Sequence, residues 1–391
     1  MRSYLKTHPW LTFFLDLRKG PAPFWLNLGE CQSKCEHIAG VPLRPSTADQ
    51  LHRVFLAKGA LATTAIEGNT LSEEEVLRHF DGDLKLPPSR EYLKQEIDNI
   101  VSACNNILEE IEAGASLTLS AQRICDLNRR VLMGLAVDAG VIPGQVRTVV
   151  VGVARYRGAP PEDCMFLLEQ LANWLSGPEF LAPSGMEIVY AIIRAVIAHL
   201  YIAWIHPFGD GNGRTARLVE YQILIQSGVP GPAAHLLSNH YNQTRTEYYR
   251  QLELASKGGG DPIPFLRYAV EGFRDGLRAQ LDLIRQQQWD IAWADYVYDQ
   301  FRSVSGRTSE RRRHLVLDLS DESDPVELAG ITKISPRVAA AYAVRGPKTV
   351  ARDLNALLEM KLISKDERGR YRAAKERILA FLPLRARNKK T

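Results

Sequence analysis

Apolar residues return every three or four positions along most of this chain, the spacing of helices with one buried face. In 49–80, DQLHRVFLAKGALATTAIEGNTLSEEEVLRHF, the spacing predicts two helices: Gly68-Asn69 stops the first, and Ser72 with Glu75 forms a capping box that starts the second. Further helices are predicted over 90–113, 120–135, 162–175, 185–205, 215–228, 239–257 and 262–301. The period changes once before residue 300. The stretch 144–163 is rich in β-branched residues and bounded by Pro143-Gly144 and Pro160-Pro161, which predicts a hairpin running from Thr148 to Tyr156.

One segment, IVYAIIRAVIAHLYIAWI at 188–205, approaches the length of a membrane span. Arg194 and His199 interrupt it, and charge is costly in lipid, so a helix buried in a protein core is expected, with no membrane partner. A hydrophobic content of 45% with 24% charged residues is that of a folded globular protein. The N-terminal residues lack the apolar run and cleavage site of a signal peptide. Five scattered cysteines suit a reducing, cytoplasmic setting. Cys31 and Cys35 have no second ligand pair at finger spacing and read as two ordinary thiols.

Charge is unevenly spread. Residues 1–300 carry 28 Lys and Arg against 34 Asp and Glu, whereas 301–391 carry 21 against 11, so the last quarter presents a different kind of surface. The polar, basic stretch SVSGRTSERRR, 303–313, is the expected domain boundary. Beyond it, 335–375 reads as a helix, a tight turn at Gly346-Pro347, a second helix and a hairpin. Val350, Leu354, Leu357 and Leu358 form the buried stripe of that second helix, leaving Lys348, Arg352 and Asn355 outward. This resembles a winged helix-turn-helix with Lys365 to Arg372 as its wing, and such a basic face suits the phosphates of DNA.

The densest chemistry lies in IHPFGDGNGRTAR, 205–217, between two apolar helical segments. Gly209, Gly211 and Gly213 allow several backbone N–H groups to point one way, and the next helix adds its positive end, so the stretch forms an anion site. Arg214 and Arg217 share a helix face and can fork onto phosphate oxygens. Asp210 offers Mg²⁺ a hard oxygen ligand, and Asn212 offers an amide to phosphate. His206, near its ordinary pKa, could take a proton from a hydroxyl, a contribution of about 10²–10⁴-fold. A Walker loop needs GK followed by Ser or Thr, but Arg214 follows Gly213. An EF-hand starting at Asp210 would put Thr215 where its glycine belongs, and a dinucleotide fingerprint lacks its strand.

HPFGDGNGRTAR, His206 to Arg217, resembles the signature of the Fic family, HPFx(D/E)GNGRxxR, at every defined position, and the resemblance extends over about 50–285. It implies a mainly α fold: a Fic-type helical core with a β-hairpin flap, here followed by the small winged-helix domain. It also implies transfer of AMP from ATP to a Ser, Thr or Tyr hydroxyl of a protein target. In that scheme His206 is the base, Asp210 the Mg²⁺ ligand, and Asn212 a contact to the α-phosphate. Gly211 and Gly213 lend backbone N–H groups, and Arg214 and Arg217 hold the β/γ region.

TTAIEGN, 63–69, resembles the family's inhibitory motif, (S/T)xxxE(G/N). Thr63 and Glu67 stand one helical turn apart, Gly68 and Asn69 end the helix, and the resemblance implies that Glu67 pairs with Arg217 and excludes the γ-phosphate. Thr148, Val149, Val150 and Tyr156 resemble the flap that takes an extended target segment as an added strand. Tyr248 and Tyr249 resemble residues bordering the nucleotide base. The expected divisions are an N-terminal helical region, 1–110, carrying the inhibitory motif; a Fic core, 111–285; a helical linker, 286–310; and the winged domain, 311–391. Two other activities remain open at this point, a DNA-binding regulator using the site as a nucleotide sensor or for self-modification, and removal of AMP from a target. A homo-oligomer is compatible with all of them.

Overall fold

Helices form where the apolar spacing places them. The computed structural model describes residues 2–115, 117–153 and 156–379. The first half of the chain contains α1 (Tyr4–Thr7), α2 (Ala22–Gly40), α3 (Pro45–Ala65), α4 (Glu73–Phe80), α5 (Glu91–Glu112), α6 (Ala121–Val131) and α7 (Pro161–Leu175). Then come α8 (Glu187–Ile205), α9 (Asn212–Gln226), α10 (Gly231–Ala234), α11 (Leu236–Gln243), α12 (Arg245–Lys257) and α13 (Ile263–Gln300). The remaining helices are α14 (Arg307–Leu319), α15 (Pro336–Tyr342) and α16 (Pro347–Glu359). The fold is mainly α, as expected, and the chain divides into two compact units, one ending at Leu281 and the other beginning at Asp282.

In the first unit α8 is the central element. It is apolar on nearly all sides, so it can be satisfied only by being surrounded, and from Ile188 to Ile205 almost every residue is buried. It passes a length-and-hydropathy test for a membrane span, yet most of that span lies inside the protein. α9 packs along α8, α5 and α6 flank α9, and α3 rests on α5 and α11. The Ser72–Glu75 capping box starts α4 as predicted, with Ser72 accepting from the Glu75 N–H and the Glu75 carboxylate accepting from the Ser72 N–H. Cys31 and Cys35 are buried thiols on α2, and burial pushes Cys35 up to about 12, far from reactive thiolate.

Three expectations change. The hairpin is shorter and lies further along than predicted: β1 (Gly152–Val153) pairs antiparallel with β2 (Tyr156–Arg157), while Thr148, Val149 and Val150 precede the pairing as an irregular segment. β-branched content marked the region, but the ladder begins only where Gly158 donates to the Val151 carbonyl and the chain turns back. The tip, 154–155, lies outside the described residues. α9 begins at Asn212 rather than Thr215, because Gly211, at φ +75°, supplies the left-handed step that starts it.

The third change concerns the boundary. Residues 303–313, the expected boundary, do not divide the chain: α14 begins at Arg307, and its Leu315, Val316 and Leu319 join Trp293, Val297 and Phe301 in the core of the second unit. The division falls within the α13 stretch, four residues before the expected end of the core at 285, and the expected linker, 286–310, lies in the second unit. In the second unit α15, α16 and a hairpin of β3 (Ile363–Lys365) with β4 (Tyr371–Ala373) follow in the predicted order. Val326 adds a single bridge to Tyr371. Val350, Leu354 and Leu357 are buried and Leu358 partly so, while Lys348, Arg352 and Asn355 face outward.

Candidate active site

His206 closes α8 with φ +50° and ψ +58°, a left-handed conformation that a residue with a side chain holds only when its surroundings impose it. The neighbour responsible is Arg147. Its buried guanidinium donates from Nε to the His206 carbonyl at 2.7 Å, from Nη1 to Val149 O at 2.7 Å and from Nη2 to Ala159 O at 2.5 Å. Backbone bonds complete the clamp, Arg147 N–H to Pro207 O at 2.9 Å and Ala159 N–H to Ile205 O at 3.1 Å. The base of the hairpin and the candidate base residue thus share one anchor.

Burial pushes the His206 imidazole down to about 4, and the Arg147 cation adds to that shift against the opposing charge of Glu67. The ring is therefore neutral at physiological pH. A neutral imidazole has one N–H and keeps its other nitrogen as an acceptor. That is the state a general base requires.

The loop that follows is stapled from both sides. Asn212 accepts from the Phe208 N–H at 2.9 Å and donates to the Phe208 carbonyl at 2.8 Å, so its amide holds the turn and has one N–H left over. Asn128, on α6, donates to Asp210 O at 3.0 Å and Thr215 Oγ1 at 3.2 Å, and accepts from the Gly144 N–H at 2.9 Å. A Cβ at Gly211 would stand 3.1 Å from the Asn128 amide, so the glycine serves both its positive φ and this close approach.

Both signature arginines are buried and both meet carboxylates. Arg217 donates from Nη2 to Glu67 Oε1 at 2.6 Å and to the Thr63 carbonyl at 2.8 Å, while its Nε and Nη1 have no hydrogen-bond partner among the described residues. Burial pushes Glu67 upward, but the charge and hydrogen bond of Arg217, helped by Arg214, outweigh it and hold the carboxyl below its ordinary value. The same carboxylate covers Gly213, where an added Cβ would lie 2.1 Å from Glu67 Oε1. It therefore sits on the first turn of α9, where an anion would bind.

Glu67 reaches this place from a helix end and not from within the helix. Asn69 N–H bonds Thr64 O, Gly68 N–H bonds Ala65 O, and Gly68 takes φ +110°, a Schellman-type stop. Thr63 contributes its carbonyl. Asn69 then fastens the turn to α5 by donating to Leu93 O and to Glu96 Oε2, both at 2.9 Å. Arg214 donates from Nη1 to Glu96 Oε1 at 2.8 Å and from Nη2 to Asp210 Oδ1 at 3.1 Å. Burial pushes the Glu96 carboxyl up, with Arg214 and Asn69 opposing and the charges of Asp210 and Glu67 adding.

The tyrosine pair separates. Tyr248 is a core residue: its hydroxyl bonds His199 Nε2 at 2.8 Å and its ring stacks on Tyr241 with centroids 4.9 Å apart. Only Tyr249, 39% exposed, keeps a free face. Sequence reasoning missed Asn128, Arg147 and Glu96 altogether. Each is a polar residue in an otherwise ordinary helix or β-rich run, and no spacing marks it.

A glycine-built turn joins two buried helices, with two guanidiniums at the start of the second and a neutral imidazole at the end of the first, an arrangement whose chemistry suits an anion beside a base. Residues 118–224 match the model of the Fic/DOC family, so the chain carries a Fic domain. Over 210 residues it is 32% identical to the protein adenylyltransferase fic-1 of Caenorhabditis elegans, covering 54% of this chain and 38% of that one. It is 30% identical over 211 residues to the protein adenylyltransferase Fic of Nematostella vectensis, covering 53% and 44%. The matched stretch thus spans less than half the length of these relatives. Among solved structures, a Fic family protein from Desulfovibrio desulfuricans shares the fold across 90% of this chain and 96% of its own, with a TM-score of 0.55 at 20% identity.

Proposed function

We propose that the protein transfers AMP from ATP to a hydroxyl of a protein target and that Glu67 restrains the transfer. The observation that carries this reading is the Glu67 carboxylate seated on both Arg217 and Gly213, within a site whose base is already neutral. In the transfer His206 takes the proton of the target hydroxyl, the freed oxygen bonds the α-phosphorus, and the bond to the β-phosphate oxygen breaks, releasing pyrophosphate. The α9 N-terminus at Gly211 and Gly213 and the Arg217 fork stabilise the charge that moves onto the leaving group. Glu67 on Arg217 occupies that fork and repels the triphosphate.

Mg²⁺ fits the residues present. The Asp210 carboxylate is about half exposed and bonded through Oδ1 to the Gly211 N–H and Arg214. A single protein carboxylate completed by phosphate oxygens and water is a donor set that Mg²⁺ accepts. The bound ion would offset phosphate charge. Among the described residues there is no cluster of three or more His, Cys, Asp or Glu that could cage a metal without the nucleotide. The exposed Val149 and Val150, beside the short β1–β2 pair, offer an apolar shelf for an extended target segment, and Tyr249 offers a face to the base.

Labelled ATP tests this. The Glu67→Gly chain should label itself or a protein in extract at least about tenfold faster than wild type. Adding His206→Ala should cost about 10²–10⁴-fold. Equal labelling by wild type and Glu67→Gly overturns the restraint, and labelling that survives loss of His206 overturns the transfer mechanism.

A second reading, compatible with the first, concerns the second unit. Lys348, Arg352 and Asn355 on the outer face of α16, with Arg312, line a shallow cavity of about 420 Å³. With three helices, a hairpin and the basic balance of 301–391, this face suits a winged-helix contact to the phosphates of DNA.

A further inference from the structure

Arg214 and Arg217 sit one turn apart, are both buried and both meet glutamates, yet they are held differently. Arg217 has one carboxylate, delivered by a turn at a helix end. Arg214 is braced at two corners, Nη1 by Glu96 and Nη2 by Asp210, and its Nε has no partner among the described residues. A guanidinium binds phosphate best side-on, through Nε–H and the Nη2–H beside it. On Arg214 that edge is the one turned to Asp210 and the unpartnered position. The far corner, Nη1, is fixed to α5.

Glu96 can act as a fixed point because it is itself held. Its other oxygen accepts from Asn69, which also donates to Leu93 O and accepts from the Leu71 N–H. Its side chain is 13% exposed, and α5 is packed against α9. The strut therefore runs from the turn bearing Glu67, through Asn69 and Glu96, to Arg214. Glu96 lies outside residues 118–224 and outside every motif in the sequence.

We propose that Glu96 is a positioning residue for the nucleotide's terminal phosphates: by fixing Nη1 of Arg214 it aims the Nε/Nη2 edge into the site, so that Arg214 stays a fixed contact while Arg217 is the one released when Glu67 leaves. The inference rests on the AMP-transfer reading for its ligand, and it concerns binding of the β/γ phosphates and not the base. Glu96 touches neither His206 nor the reacting phosphorus. Its loss should therefore appear in the affinity for ATP and not for AMP, which lacks those phosphates.

The test uses the full chain carrying Glu67→Gly, with Glu96→Ala and Glu96→Gln added separately. ATP and AMP binding in the presence of Mg²⁺ are measured by calorimetry, alongside labelling kinetics. Glu96→Ala should weaken ATP about tenfold and leave AMP within about twofold, raising KM while kcat changes less than about threefold. Glu96→Gln keeps an oxygen for Arg214 and should recover most of the ATP affinity, to within about threefold of the parent.

An unchanged ATP-to-AMP affinity ratio in both variants, or parallel losses of both nucleotides, overturns the proposal, since general damage to the site would move the two ligands together. If the Glu67→Gly parent binds ATP and transfers nothing, the transfer reading fails, while the affinity ratio still decides the role of Glu96. A parent that binds no nucleotide overturns both.

Discussion

Each unit buries arginine against carboxylate, and the two solutions differ in how completely they are closed. In the second unit Asp353, on the inner face of α16, is fully buried and accepts from Arg311 Nε at 2.8 Å, Arg312 Nε at 2.8 Å and Tyr342 Oη at 3.0 Å. In the first unit Glu67 is about a third exposed and has one arginine, whose Nε and Nη1 have no hydrogen-bond partner among the described residues. A buried charge with its bonds made is part of the framework. Guanidinium donors without a hydrogen bond occur in both units, Arg311 Nη2 included, so the difference lies in the acid: three donors meet the buried Asp353 and one meets Glu67 at the edge of solvent. Saturation separates the strut from the switch.

The largest test of that contrast is removal of each acid. Asp353→Ala strands two guanidiniums and should cost about 3–5 kcal/mol in the second unit, read as lost hydrogen-exchange protection of α14 and α16. Glu67→Gly should cost less, about 1–3 kcal/mol, because it strands one guanidinium that keeps the Thr63 carbonyl, and the lost carboxylate is partly solvated. Comparable losses for the two acids would erase the distinction.

Acid titration sharpens it next. Burial and Arg147 depress the folded His206 pKa to about 4, so the unfolded chain binds that proton more readily. The stability tied to the neutral ring is complete above the ordinary value of 6.5 and is lost as pH falls through about 4. Glu67 opposes the shift, so its removal moves the transition lower still. In the Glu67→Gly chain kcat/KM should show no acid limb near 6.5, with His206 titrating below about 5. A limb centred at 6.5 would mean a solvated imidazole.

The smallest effect belongs to the outer face of α16. The double substitution of Lys348 and Arg352 to Ala should weaken binding to duplex DNA uniformly across sequences, reducing the salt slope by about 2. Folding should stay intact, since neither residue reaches Asp353. An unchanged salt slope removes DNA as the partner of this face.

The sequence carried the parts that depend on local pattern. Helix positions followed from apolar spacing, the Ser72–Glu75 cap from two residues three apart, and the phosphate turn from glycines beside Arg214 and Arg217. What it concealed depends on long-range approach. The Asn128 and Arg147 clamps join segments about 60 to 90 residues apart through backbone carbonyls, which have no signature in side-chain order. Glu96 reads as one more acid on an amphipathic helix. The tyrosine pair shows the converse: Tyr248 and Tyr249 are read together from a resemblance, but helical rotation turns the two adjacent rings to different environments, one inward onto His199 and one outward.

Arg147 carries a consequence for how such a molecule can diversify. One guanidinium grips the shelf at Val149, the return at Ala159 and the carbonyl of His206, so the surface that would choose a client is moored to the reacting ring by main-chain oxygens alone. Side chains along the exposed shelf can be exchanged without loosening that mooring. On the AMP-transfer reading, the choice of target can drift while the setting of His206 is kept.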